Sequence, residues 1–232
     1  MDFFQVVNTR RSVRKFTSKL VPTEVIEKAL QAALLAPNSS NLQLWEFYWV
    51  KSAEKKAALI TSCFSQSAAA SAQELVVAVS RVDTWRRNRD ALMIAMEARG
   101  PLPSKVRDYY TKLIPLVYIM EPTRILGVVK KISFSIMGLF KPAPRGPAFR
   151  AGLFEVVSKS AALACENFML AITAQGFASC PMEGFDEVRV KKILKLNSNC
   201  HVVMTIGIGE ADPAGIFGER IRLDSKLFLK TV

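Results

Sequence analysis

Residues 10–16, with the sequence Arg-Arg-Ser-Val-Arg-Lys-Phe, place four cationic side chains and one hydroxyl within six consecutive positions. Because side chains alternate between two faces of an extended chain, we expect Arg10, Ser12 and Arg14 to share one face and the intervening residues to share the other. Guanidinium groups form paired hydrogen bonds to phosphate oxygens and stay charged at any working pH. The stretch therefore suits a phosphate ligand, although taken alone it is more typical of a solvated basic strand or a Lys/Arg-rich targeting signal.

A second polar cluster lies between a predicted helix and a predicted strand. Its members are Asn38, Ser39, Ser40 and Asn41. Such residues supply side-chain and backbone hydrogen bonds without bulk, which is also what an ordinary turn requires. Asn41 is soon followed by Gln43 and Trp45, which are unusual choices for a simple connection. The loop is therefore a second candidate for ligand binding, beside its interpretation as a turn.

The elements that must position both clusters follow from hydrophobic periodicity and from capping residues. Helices are predicted over residues 3–9, 23–36, 53–61, 86–99, 125–140, 151–175 and 187–194. Strands are predicted over 46–50, 75–79 and 201–208, with a further strand starting at 177–179 and a loop at 180–186. This interleaving predicts an α+β or α/β fold. With no internal repeat or evident linker, residues 1–232 form one predicted domain, with a basic insertion at about 81–150.

Length, composition and charge narrow the function classes. Half of the 232 residues are hydrophobic and 22% are charged, so we expect a globular domain and not a disordered chain. The net charge of +12 favours anionic partners such as phosphate cofactors, nucleic acid or anionic lipid. Residues 81–150 hold 14 Lys and Arg against 5 Asp and Glu, and so carry +9 of this charge.

The usage of cysteine and histidine argues against a metal site. The chain has four cysteines, none in a Cys-x-x-Cys motif, and a single histidine, so a zinc site is not expected. The cysteine content, without a recognisable secretory signal, predicts reduced thiols and a cytoplasmic location. No run of eighteen apolar residues is present, so a membrane-spanning helix is not expected.

The predicted helix at 125–140 has two interpretations. Its sequence, ILGVVKKISFSIMGLF, places apolar residues along one side and interrupts the rest with two lysines and two serines. It could be a lid that packs over an apolar pocket, or an interfacial helix that lies on anionic lipid. Internal packing is the commoner fate of such a stripe, which favours the lid.

The motifs of the N-terminal part, taken in order and with their spacing, resemble those of the FMN-dependent nitroreductase family. The family opens with a short helix and an Arg-x-Ser-x-Arg/Lys stretch, which corresponds here to Arg10, Ser12 and Arg14. A helix then ends in Ala-Pro-Ser-Ser-x-Asn-x-Gln-Pro-Trp, found here at residues 36–45 with Leu44 in place of the usual proline.

The C-terminal part continues the resemblance. A long helix with an Asn and a Gly-Phe end corresponds to Asn167 and residues 176–177, and a Pro-Met-Glu-Gly-Phe-Asp loop corresponds to residues 181–186. An Arg-x-Arg tail corresponds to Arg220 and Arg222. The match covers residues 1–80 and 150–232. Residues 81–150 match no motif, and in this family that region varies and shapes the substrate pocket.

The resemblance implies an α+β sandwich of the nitroreductase type, with a central mixed or antiparallel sheet flanked by helices, assembled as a homodimer. It implies two FMN molecules bound across the subunit interface, with NADH or NADPH as reductant. The acceptor would be an electron-poor small molecule such as a nitroaromatic or a quinone, in a ping-pong mechanism. Because the flavin carries the chemistry, no catalytic side chain is expected.

The resemblance also implies roles for particular residues. The phosphate would be held by Arg10, Ser12, Arg220 and Arg222, and Arg14 would lie near the N1–O2 edge of the flavin. The loop at 181–184 would direct backbone N–H groups toward N5 and O4, and residues 38–41 of the partner subunit would close over the cofactor. The full predicted set is Arg10, Arg11, Ser12, Arg14, Asn38, Ser39, Ser40, Asn41, Gln66, Pro181, Met182, Glu183, Gly184, Arg220 and Arg222.

Two alternatives stay open at this point. A relative could use the same cofactor for reductive dehalogenation or for flavin cleavage. The chain could also be a basic binding module for nucleic acid or an anionic membrane, with residues 81–150 as the contact surface. No nucleic-acid motif is recognisable, and the aromatic residues are not patterned for base stacking, so nucleic acid is not an expected partner.

Overall fold

The structure is a computed structural model that describes residues 1–119, 125–143 and 146–232. Residues 120–124 and 144–145 of the predicted insertion lie outside the described residues. The strands are β1 (Trp45–Trp49), β2 (Glu74–Arg81), β3 (Ala178–Met182) and β4 (Cys200–Gly209). The helices are α1 (Phe3–Thr9), α2 (Thr23–Leu34), α3 (Ala53–Ser62), α4 (Ser67–Ala70), α5 (Trp85–Glu97), α6 (Ser104–Asp108), α7 (Ile114–Tyr118), α8 (Ile125–Phe140), α9 (Arg150–Ala174) and α10 (Glu187–Leu194).

The four strands form one antiparallel sheet in the order β1-β2-β4-β3. The predicted α+β architecture with a central antiparallel sheet is confirmed. In β2, Val77 and Val79 face one layer of helices, whereas Val76 and Ala78 face the other. The sheet is therefore buried on both faces, which explains why β2 reads as an unbroken apolar run and not as an alternating pattern.

The two faces of the sheet are covered by different helices. Helices α2 and α9 pack on one face, and α3, α4 and α10 pack on the other. Phe168 of α9 is fully buried and its ring stacks on Phe47 of β1, with 6.5 Å between the ring centroids. Gly176 adopts the left-handed φ of +83° just after α9, as predicted for a helix that ends at glycine.

Helix α9 is the one helix of the described residues whose length and composition would allow it to cross a membrane. Half of its most apolar window is buried inside the fold, against the sheet and α2. An apolar helix of this length is equally typical of the central helix of a globular core, which is the position that α9 occupies here.

Residues 180–182, predicted to lie in a loop, instead continue β3. Pro181 pairs with Ile206 and Met182 pairs with Thr205 of β4. Proline has no N–H to donate and is tolerated in an edge strand, and β3 is the last strand of the sheet. The loop therefore begins at Glu183.

Helix α8 has the predicted bounds, but its apolar side does not pack against its own chain. Val128, Ile132 and Leu139 are all exposed. The side that faces inward carries Gly127, and a Cβ added there would lie 2.6 Å from the carbonyl oxygen of Ala148. The expectation of a lid that packs internally is thus wrong for a single chain, because the close approach of the backbone selects the glycine side of the helix.

A similar close approach fixes α4 against the sheet. A Cβ added to Gly207 of β4 would lie 2.5 Å from the carbonyl oxygen of Ala68 in α4. Real Cβ atoms do not tolerate such a distance to a backbone atom. The glycine therefore sets how closely α4, and with it Gln66 at its N-terminal end, can approach β4.

We expect Gly207→Ala to lower the free energy of unfolding by about 1–3 kcal/mol, because the added methyl group overpacks a buried backbone contact. For a chain of this size that corresponds to a fall in Tm of roughly 2–12 °C. Thermal unfolding followed by circular dichroism measures it. Gly146→Ala is the matched control, since a Cβ there meets nothing within 4 Å. Equal Tm values for the two variants would contradict the packing argument.

Candidate functional site

The basic stretch at 10–16 lies between β3 and the C-terminal tail. On one side, the N–H of Val13 donates to the carbonyl of Ser179 in β3, at 3.2 Å. On the other, the N–H of Arg14 donates to the carbonyl of Gly215, at 2.9 Å, and the N–H of Thr17 donates to Glu210, at 3.0 Å. The tail therefore runs antiparallel to the stretch and adds to the same edge of the sheet.

This arrangement brings together three of the predicted arginines. Nη2 of Arg220 donates to the backbone carbonyl of Arg10. Nη2 of Arg11 donates to the carbonyl of Gly218, at 2.9 Å. Nε of Arg10 lies 3.3 Å from Oε1 of Glu166 in α9, an ion pair that is partly exposed. Arg10, Arg11 and Arg220 are thus linked through residues 10–11 and the C-terminal tail, and one carboxylate pairs with Arg10.

Arg222, predicted to join this cluster, is exposed and donates only to the carbonyl of its neighbour Ile221 within the described residues. The structure therefore does not bring Arg222 to the other arginines in a single chain.

The predicted division of the stretch into two faces is not observed. Val13 and Phe16, three residues apart, are both buried, whereas strict strand alternation would separate them. Arg11 contacts Gly218, and Arg14 stacks on Phe217 with 5.3 Å from its Cζ to the ring centroid. The stretch makes only isolated bridges to its neighbours, at Ser12 and Phe16, so the tail and not the alternation of a strand decides where the side chains lie.

Arg14 lies close to the middle of β3. Burial raises the pKa of the Cys180 thiol, and the positive charge of Arg14 opposes that rise. Cys180 is buried in the core between β3 and the neighbouring helices. Arg14 is an exposed residue, so its side chain is accessible to a ligand at this edge of the sheet.

The loop after β3 is anchored to α3 and α4. Nε2 of Gln66 donates to the carbonyl of Gly184, at 2.7 Å, and the N–H of Asp186 donates to the carbonyl of Ser62, at 2.8 Å. No hydrogen bond involves the N–H groups of Glu183 and Gly184 within the part of the chain that the structure describes. The loop thus has two consecutive backbone N–H donors. They lie three to four residues after Cys180, the residue of β3 that is near Arg14.

The second polar cluster, at 38–41, forms a short helical turn. Ser40 and Asn41 adopt positive φ values of 57° and 52°. The turn is held by the side chain of Asn38, whose Oδ1 accepts from the N–H of Gln43 at 2.8 Å. Ser39 donates its N–H to Oγ of Ser160, at 3.3 Å.

The two clusters do not meet in one chain. Both touch α9, at Ser160 and at Glu166, which lie about 9 Å apart along the helix axis and on different sides of it. No contact joins residues 38–41 to the arginine cluster among the residues described.

The sequence did not single out Tyr109 and Tyr110, which complete the second cluster. The hydroxyl of Tyr109 lies 2.7 Å from Oγ of Ser40, and the hydroxyl of Tyr110 donates to the carbonyl of Ser40 at 3.0 Å. The two rings pack edge to face. Their partners are about seventy residues away in the sequence, so no local spacing could have revealed them.

Two cavities lie beside the insertion. One of about 850 Å³ is lined by residues of α5, α7, α8 and the start of α9, including Trp85, Arg86 and Phe149. None of the residues that line this cavity belongs to the set predicted to bind the cofactor. A smaller cavity of about 170 Å³ is lined in part by Ser39 and Ser40. No group of histidine, cysteine or acidic side chains suited to a metal ion is found in residues 1–119, 125–143 and 146–232.

Comparison with known proteins gives consistent results. The family model described as "Nitroreductase family" matches residues 7–210. The MhqN protein of Bacillus subtilis (strain 168), named as an NAD(P)H nitroreductase, is 27% identical over 213 residues, which are 90% of this chain and 88% of the relative.

Solved structures show the same fold. The ydfN protein of Bacillus subtilis, named as a nitroreductase, has a TM-score of 0.76 at 23% identity, over 99% of this chain and 98% of its own. A protein of Exiguobacterium sibiricum 255-15, also named as a nitroreductase and solved in complex with FMN, has a TM-score of 0.73 at 23% identity, over 100% of this chain and 98% of its own.

Proposed function

The chain belongs to the nitroreductase family, and from that premise we propose that it is an FMN-dependent oxidoreductase. It would take hydride from NADH or NADPH and pass it to an electron-poor small molecule. The observation that carries the proposal is that the fold links Arg10, Arg11 and Arg220 to one another through residues 10–11 and the C-terminal tail. The FMN complex of the Exiguobacterium relative and the name of the Bacillus relative support the cofactor and the reductant.

The residues present fit FMN. A phosphate monoester carries nearly two negative charges at neutral pH. The arginine cluster offers three positive charges, and only Arg10 among them is paired with a carboxylate in the described residues. The sequence has no Gly-x-Gly-x-x-Gly loop for a pyrophosphate, which favours FMN over FAD.

Bound FMN would supply the hydride chemistry, as flavins do. The protein's part is to hold and orient it. Arg10 and Arg220 would bind the phosphate, and the N–H groups of Glu183 and Gly184 would donate to the ring edge. Gln66 donates to the carbonyl of Gly184 and so fixes the peptide group between Gly184 and Phe185. This contact anchors the loop directly after the two donors.

Cofactor identity provides the first test. We expect the purified protein to be yellow, to release FMN and not FAD on denaturation, and to oxidise NADH or NADPH in the presence of a nitroaromatic or a quinone. Chromatography of the extracted cofactor and absorbance at 340 nm during turnover measure these outcomes. A protein that is colourless and takes up neither flavin would contradict the proposal.

A homodimer would complete the site. The loop at 38–41 lies apart from the arginine cluster in one chain, and the proposal assigns it to the cofactor of the partner subunit. Exposed apolar residues at both ends of the chain, including Phe4, Leu223 and Phe228, support an extensive subunit interface.

Subunit complementation tests this shared site. Ser39 is exposed, so Ser39→Glu should fold, and its carboxylate should repel the anionic cofactor. Arg220→Ala should remove part of the phosphate site. Each homodimer is expected to bind little FMN, whereas a heterodimer of the two variants regains one intact site per dimer.

The measurement is the ratio of flavin absorbance to protein in heterodimers purified through two different affinity tags. A site built within one chain would leave the heterodimer as empty as its parents, and that result would contradict the shared site. A mass of about one chain for the flavin-loaded wild-type protein would contradict it as well.

A further inference from the structure

Helix α8 turns its apolar side away from the protein. When successive residues are placed 100° apart, seven apolar residues fall within an arc of about 120°. They are Ile125, Val128, Val129, Ile132, Ile136, Leu139 and Phe140, and each is between 46% and 84% exposed. A continuous apolar stripe of this size is rarely left in water, which indicates that something covers it.

The opposite side of α8 fixes this orientation. It carries Gly127 and Lys130, which are buried in the fold. Nζ of Lys130 donates to the carbonyl of Ile119, at 3.2 Å, and Gly127 packs against Ala148 and Phe149 at distances that allow no Cβ. Rotating the apolar arc inward would break these contacts, so the outward arc is a product of the packing of the helix.

Charge around the arc narrows what can cover it. The sequence from 122 to 154 contains six Lys and Arg and no Asp or Glu. Lys131 lies close to one border of the arc, and Lys141 directly follows the helix; both are exposed. A second copy of this chain that packed its own α8 against this helix about a two-fold axis would bring the same cations together, which is unfavourable. A negatively charged surface has no such penalty.

We propose that α8 lies flat on the surface of an anionic phospholipid bilayer. Its apolar arc enters the boundary between headgroups and acyl chains, and Lys131 and Lys141 contact lipid phosphates. An apolar face bordered by lysines, on a helix that is too short to cross the bilayer, is the pattern of an interfacial helix. The proposal does not depend on the reaction that the protein catalyses.

Co-sedimentation of the full-length protein with vesicles tests the proposal. We expect binding to vesicles of phosphatidylcholine with 30% phosphatidylglycerol, little binding to pure phosphatidylcholine, and release by 0.5 M NaCl, because salt screens the lysine contacts. Absence of binding to the anionic vesicles at low salt would overturn it.

Two pairs of variants test whether vesicle binding depends on α8 or on the overall hydrophobicity and charge of the protein surface. Leu139→Ser/Phe140→Ser should weaken partitioning on the order of tenfold, whereas Leu20→Ser/Val188→Ser removes two comparably exposed apolar residues elsewhere and should not. Lys131→Glu/Lys141→Glu should weaken it tenfold or more, whereas Lys28→Glu/Lys55→Glu makes the same change in net charge and should have a smaller effect. Equal losses within each pair would overturn the assignment to α8.

Light scattering tests the alternative that a second copy of the chain, and not a bilayer, covers α8. If Leu139→Ser/Phe140→Ser halved the mass of the particle and left vesicle binding unchanged, α8 would be an interface between copies of the chain and the proposal would be wrong. An unchanged mass with lost vesicle binding supports it.

Discussion

The double variant Arg10→Ala/Arg220→Ala is expected to fold and to purify almost free of flavin. Arg220 donates to the backbone carbonyl of Arg10, so the two arginines are in direct contact. Each charge-assisted hydrogen bond to the phosphate contributes about 1.5–3 kcal/mol, so losing one from each arginine should weaken FMN binding by roughly 10²- to 10⁴-fold. Titration of the flavin-free protein with FMN, followed by quenching of flavin fluorescence, measures the Kd.

Riboflavin provides the control ligand for this experiment, because it has the same ring system and no phosphate. If the two arginines bind the phosphate, the variant and the wild-type protein should bind riboflavin with similar affinity. Lys28→Ala/Lys55→Ala, which removes two exposed cations far along the sequence, should bind FMN normally. A double variant that loses FMN and riboflavin equally would show that the arginines support the fold of the site and not the phosphate.

Most of the elements could be predicted from the sequence because their signals are local. The capping box of Asp2 and Gln5, the glycine after α9 and the cap of α10 by Asp186 are all contained within a few residues, and the structure has each of them. The unbroken apolar run of β2 needed only its own composition to indicate a strand that is buried on both faces.

Other features could not be predicted because they depend on distant parts of the chain. Pro181 is strand and not loop because β4 is there to pair with it. Lys130 is buried and the apolar arc of α8 is exposed because residues 148–149 approach Gly127, a contact that no helical periodicity contains.

The candidate site likewise has features that the local sequence predicts and features that depend on distant parts of the chain. The types of residue that could bind a phosphate were evident from the sequence, but their partition between faces was not. The C-terminal tail runs beside residues 10–17 and draws Arg11 and Arg14 to the same pair of residues, Phe217 and Gly218. Taken alone, an extended stretch predicts that side chains alternate between two faces. In the fold, the C-terminal tail lies along one side of the stretch and so changes which side chains meet.

The position of Arg14 nevertheless separates its expected role from that of the phosphate ligands. Its guanidinium is near Cys180 in β3 and has no carboxylate partner within the described residues, so its positive charge is not neutralised by a neighbour. The donors of the loop at 183–184 follow Cys180 by three to four residues, just after the end of β3. Arg14 would therefore lie beside the ring of the flavin, where negative charge develops on reduction.

Arg14→Ala is accordingly expected to keep FMN and to make it harder to reduce. Loss of about 1–3 kcal/mol of electrostatic stabilisation corresponds to a fall of roughly 20–65 mV in the two-electron midpoint potential. Reduction in equilibrium with a reference dye measures the potential, and stopped-flow absorbance should show slower reduction by NADH or NADPH.

Arg14→Lys, which retains the charge, should restore most of the potential. Lys15→Ala removes the adjacent cation, which Asp212 already neutralises at 3.0 Å, and should leave the potential unchanged. If Arg14→Ala lost FMN as the double variant does, and the flavin that stayed bound kept the wild-type potential, Arg14 would belong to the phosphate site and not to the ring.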